Sequence, residues 1–118
     1  MSRWEMDGLR LLAQYVRKRN TAPEPGAGPY LESLRVDGQG TIPRADPRYC
    51  VQVTVNDDPT LYRFPVPAEF NKKGYFILPA EDLPVKIPFD AVVTISIIET
   101  DRKGERVIAQ SPLRYRTV

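Results

Sequence analysis

Apolar and polar positions follow two different periods along this chain of 118 residues. Near its start, Leu9, Leu12, Ala13 and Val16 keep the i, i+3, i+4, i+7 spacing of a helical stripe, with Trp4 before them and Arg10, Gln14 and Arg17 off that face. Ser2, with Glu5 three residues on, has the form of a capping box, each side chain satisfying an otherwise orphaned backbone N–H. Arg17, Lys18 and Arg19 stand where the negative end of a helix attracts cations. The spacing predicts an amphipathic helix over residues 3–19, in spite of Gly8, which costs about 1 kcal/mol relative to alanine.

Residues 21–29, Thr-Ala-Pro-Glu-Pro-Gly-Ala-Gly-Pro, hold three prolines and two glycines and support no regular element, so they are expected to be a linker. From Tyr30 onward the period changes to 2. Tyr49, Val51, Val53 and Val55 alternate with Cys50, Gln52 and Thr54 as a strand. Further strands are expected at Tyr30–Val36, Thr60–Val66, Gly74–Leu78, Ala91–Thr100, Glu105–Gln110 and Leu113–Thr117. Pro65 and Pro67 suit an edge, and Asp101-Arg102-Lys103-Gly104 a hairpin turn. The pattern predicts a mainly β chain: a seven-stranded antiparallel β-sandwich, immunoglobulin-like or C2-like, preceded by one N-terminal amphipathic α-helix. Val51, Val53, Val93, Ile95 and Ile97 are expected at the centre of its core.

Composition sharpens this picture. The length is that of one domain, and the 12 prolines, scattered along the chain, argue against a helical bundle because a proline inside a helix costs about 3 kcal/mol. With no histidine and one cysteine, His-based acid/base chemistry, Ser-His and Cys-His pairs, and zinc sites built on several Cys or His ligands are excluded. Cys50 is expected to be a structural thiol. The net charge of +2 resides in residues 1–29, which carry five Lys or Arg against three Asp or Glu; residues 30–118 carry twelve of each. So balanced a body is no match for the one-sided field of a nucleic-acid binder, and no nucleic acid is expected. Residues 91–98, the longest apolar run, fall far short of the roughly 20 residues of a membrane helix, and Met1-Ser2-Arg3-Trp4-Glu5 is not the opening of a secretory signal, so cytoplasmic synthesis is expected.

"DPRYCVQVTV" from Asp46 and "VVTISIIETDRKGERVIAQSPLRYR" from Val92 resemble the second strand and the closing strands of C2 domains. That resemblance implies a sandwich whose loops hold calcium through several aspartates. Asp46, Asp57, Asp58, Glu99 and Asp101 are the acids in the corresponding turns, but Arg102 and Lys103 oppose a cation, and these acids are better explained as turn formers. Lys72-Lys73-Gly74 has the form of a turn, and Arg114 and Arg116 that of a solvated strand face. Tyr62, Phe64, Phe70, Tyr75, Phe76 and Phe89 fit a core better than a sugar-stacking platform.

The expected organisation is a helical arm over residues 1–20, a linker over 21–29 and a β-sandwich over 30–118. It suggests a non-enzymatic structural or interaction protein without cofactor or metal, a small accessory subunit of a larger assembly such as a virion decoration or tail accessory protein. Trp4, Leu9, Leu12, Val16, Arg17, Lys18 and Arg19 of the arm would contact a protein partner or another copy of the chain. A C2-like membrane- or ligand-binding module ranks second and a carbohydrate-binding module third.

Overall fold

The computed structural model describes residues 8–17, 33–56, 58–79, 82, 87 and 91–117. In chain order the elements are β1 (Arg10–Arg17), β2 (Ser33–Gln39), β3 (Tyr49–Val55), β4 (Tyr62–Pro65), α1 (Ala68–Lys73), β5 (Tyr75–Pro79), β6 (Val93–Asp101) and β7 (Gly104–Thr117). The strands join into one mixed sheet in the order β4-β3-β6-β7-β1-β2-β5. All its pairings are antiparallel except β1 with β7, which is parallel.

The helix expected over residues 3–19 is not found in its described part: Arg10–Arg17 is a strand, paired with β2 on one side and β7 on the other. The physical reason lies in a second periodicity. Leu9, Leu11, Ala13 and Tyr15 alternate with Arg10, Leu12 and Gln14, and these odd positions face the core. A helix would have left both neighbouring strands with an unpaired edge. The Ser2–Glu5 capping box, Trp4, Lys18, Arg19 and the linker lie outside the described residues.

The expectation of purely antiparallel strands is likewise corrected by the β1–β7 ladder, and so is the split of the last strand into two. β7 is one element of 14 residues. Its first part pairs with β6 up to Pro112, and from Leu113 it pairs with β1. Proline brings no N–H, so the change of partner falls where one ladder hydrogen bond is already missing. Ser111 bridges the change: its hydroxyl accepts from the Ala13 N–H at 3.1 Å and donates to the Pro112 carbonyl at 2.8 Å. The strand number agrees with expectation only because β1 makes up for the merged pair.

The two ends of the sheet share one apolar cluster. Ala13, Leu34, Val36, Phe76 and Leu78 come from β1, β2 and β5, and Val51, Val53, Val93, Ile95, Ile97 and Leu113 from β3, β6 and β7. The sheet therefore curls on itself, and Val51, Val53, Val93, Ile95 and Ile97 are all essentially inaccessible at its centre, as their alternation predicts. Each such side chain contributes about 1.5–3 kcal/mol of burial.

α1 is too short to show an apolar period, and its sequence signals are confined to its ends: Glu69 in the first turn, Lys72 and Lys73 in the last, and Gly74 after it. Its one buried residue, Phe70, meets Phe76 edge to face with centroids 4.9 Å apart. Gly74 ends the helix in the left-handed region at φ 83°, donating to the Phe70 carbonyl, while its own carbonyl accepts from the Gly38 N–H at 2.8 Å. β2 consequently runs on through Asp37-Gly38, where the sequence suggested a turn.

Candidate interaction surface

Alternation along β2 places Leu34 and Val36 in the core and Arg35 and Asp37 on the outer face. The register then sets this face: Leu12, Asp37 and Tyr75 form one row across β1, β2 and β5, and Gln14, Arg35 and Ile77 form the next. Arg35 and Asp37 make a two-pronged ion pair, Nε and Nη2 both donating to the carboxylate at 3.0–3.2 Å. Gln14 donates to the same carboxylate at 3.4 Å. The Arg35 guanidinium also lies 4.0 Å from the centre of the Tyr75 ring. Two large apolar side chains stand exposed at opposite corners of this block, Leu12 (41% accessible) and Ile77 (49%). An arginine already held by a carboxylate and a ring loses little side-chain freedom on docking, and arginine, tyrosine and exposed aliphatics are the types that concentrate contact energy.

The expected contact residues divide across this arrangement. Leu9 packs against the core and Leu12 faces outward, so they do not form one stripe. Val16 and Arg17 lie on β1 in register with Arg116 and Thr117 of β7. Trp4, Lys18 and Arg19 fall outside the described residues. Arg35, Asp37, Tyr75 and Ile77 were missed; the alternation in Leu34-Arg35-Val36-Asp37 could have put the charged pair on one face, whereas the pairing of β5 with β2 leaves no sequence signal.

The opposite outer face, over β4, β3, β6 and β7, mixes polar groups with an apolar row in which Cys50, the buried Ile98 and the exposed Val107 are in register. Arg63 donates through Nε to Gln52 and through both terminal nitrogens to Glu105, and Gln110 donates to Ser96. The Arg63 hydrogen bonds hold the Glu105 carboxyl below its usual range. Burial pushes the nearby Cys50 thiol up, away from the reactive thiolate.

The turn acids are each engaged locally. Asp46 accepts from the Arg48 backbone and side chain, Asp58 from the Thr60 N–H and the Tyr62 hydroxyl, and Asp101 from the Lys103 N–H; Glu99 pairs with Arg106. Asp57 lies outside the described residues. Among those residues no three Cys, Asp or Glu gather as a metal would require, and no helix is long and apolar enough to cross a membrane. Phe70 and Phe76 are buried, Tyr62 and Phe64 pack on the core, and Lys72 and Lys73 form the last turn of α1. No family model, curated protein or solved structure matches the chain.

Proposed function

We propose that this chain is a non-enzymatic interaction module, an immunoglobulin-like β-sandwich that serves as an accessory subunit of a larger assembly, of the kind represented by virion decoration or tail accessory proteins. Its contact surface is the outer face of β1, β2 and β5. The observation that carries the proposal is the exposure of Leu12 and Ile77 on either side of the pre-held Arg35–Asp37–Tyr75 group.

The sandwich part of the reading is supported by strand order. β1-β2-β5 corresponds to the A-B-E sheet of the immunoglobulin fold and β4-β3-β6-β7 to C′-C-F-G, with α1 where strand D would stand. The single core cluster fed from both ladders favours two layers. The same order favours this topology over the C2-like alternative.

The test is isolation of the tagged full-length chain under native conditions from the cell that makes it. The wild type should travel in a species well above its own 13.4 kDa, and the double variant Leu12→Asp, Ile77→Asp should be released from it while Lys103→Glu, on the distant hairpin, is retained. Equal retention of the double variant, with its β circular dichroism intact, overturns this surface.

A further inference from the structure

We propose that the outer face of β1, β2 and β5 pairs with the same face of a second copy of this chain, as a two-fold dimer. The inference rests on the interaction reading above and names its partner. What points to a second copy is self-complementarity. Arg35 and Asp37 lie two residues apart on β2, about 6.8 Å along the strand, in adjacent rows whose other members are Leu12 and Tyr75 beside Asp37, and Gln14 and Ile77 beside Arg35.

When two such faces stack, the two-fold axis lies in the plane between them. An axis running across the strands, midway between the rows, exchanges one row for the other. Arg35 then stands over Asp37 of the second copy and Tyr75 over Ile77 of the second copy, each contact occurring twice, as an isologous interface requires. Opposite charges meet and an aromatic ring meets an exposed aliphatic. Among the described side chains, the two other cations of this side, Arg114 and Arg10, do not stand over one another. Arg114 is level with Gln14 and so falls opposite the Leu12 row, and Arg10 falls opposite the register position of Val16. Contacts closest to the axis also tolerate the roughly 30° rotation that sheet twist imposes on stacked sheets.

The block spans three short strands, less than the about 800 Å² per partner of a standard interface, so the dimer is weak and concentration-dependent. Its sign pattern nevertheless allows a decisive exchange. In Arg35→Asp both charged contacts across the axis are carboxylate against carboxylate, and in Asp37→Arg both are guanidinium against guanidinium. A mixture of the two variants restores both attractions.

Sedimentation equilibrium of the purified full-length chain, from micromolar to millimolar concentration, should show the wild-type mass rising from 13.4 kDa toward twice that value. Each single variant should remain monomeric, and an equimolar mixture should recover a dimer containing one of each. Ile77→Asp, at an exposed position, gives the same reading if either charge variant fails to fold, and should also stay monomeric. A monomeric wild type, a mixture no more associated than its components, or an Ile77→Asp chain that dimerises like the wild type overturns the proposal. If the wild type is monomeric while the Leu12→Asp, Ile77→Asp variant is still released from its native assembly, the dimer alone falls and the face belongs to a different protein.

Discussion

Arg63 on β4 and Glu105 on β7, 42 residues apart, grip each other with both terminal guanidinium nitrogens, with β3 and β6 between their strands in the sheet order. The pair ties one edge of the sheet to the tip of the β6–β7 hairpin, and its effect depends on acid. The folded chain holds the Glu105 carboxyl below its ordinary value of 4.5, so its stabilisation is complete above that pH and is lost as pH falls through the depressed value. Denaturant titrations between neutral and strongly acidic pH should show a shallower decline for Glu105→Gln than for the wild type, with the two curves converging at the acid end.

Removing β1 should unfold the body. Because this strand sits between β2 and β7 and gives Ala13 and Tyr15 to the core, a chain lacking residues 1–17 exposes two strand edges and a gap in the cluster. Ala13→Asp should do the same by placing an unpaired carboxylate in that cluster. Loss of the cooperative thermal transition in circular dichroism is the expected outcome; a native-like melt of the truncated chain would mean that β1 is an appendage.

Gly38→Ala should destabilise by about 1–3 kcal/mol. A Cβ at Gly38 would come within 2.8 Å of two ring carbons of Phe70, whose ring is fixed by burial and by Phe76. If this clash is the cause, Phe70→Leu in the same chain should make the alanine cheaper than it is alone, a coupling that a double-mutant cycle in urea measures.

Ile95→Ala should cost about 2–5 kcal/mol, since Ile95 is fully buried between the neighbouring strands of the core. A loss in urea below about 0.5 kcal/mol, the range of exposed sites, would place this side chain outside the core.

Cys50 should react slowly with a chromogenic disulfide at neutral pH, because burial raises its pKa and thins the thiolate population. Urea should bring its rate to that of a free thiol. Rapid labelling of the native chain would show an exposed or activated sulfur.

Legibility in the sequence followed burial. Tyr49–Val55 packs one face on the core in a simple alternation and Val93–Asp101 is an apolar run buried on both faces over residues 95–98, so their place and the five central residues could be read directly. Arg10–Arg17 could not, because Leu9, Leu12, Ala13 and Val16 fit a helical stripe while Leu9, Leu11, Ala13 and Tyr15 fit a strand; the two open edges of β2 and β7 decide between them, and those are tertiary facts. α1 was hidden because a six-residue helix with one buried side chain has no period to show. The exposed face was legible only strand by strand: Arg35 and Asp37 fall together by alternation, but Ile77 and Leu12 join them through pairings between distant segments.

The parallel ladder of β1 with β7 also sets a clock. Ala13 finds Leu113 only after a hundred further residues have been made, and at roughly 5–20 residues per second the ribosome takes on the order of 5–20 s to deliver them. Through that interval β1 can pair with β2 but has no neighbour on its other side, and Ala13 and Tyr15 have only part of their core. The nascent chain is therefore most vulnerable to pairing with a stranger along one particular edge. A chaperone or a second nascent chain that reaches this edge first competes directly with the last strand to be synthesised.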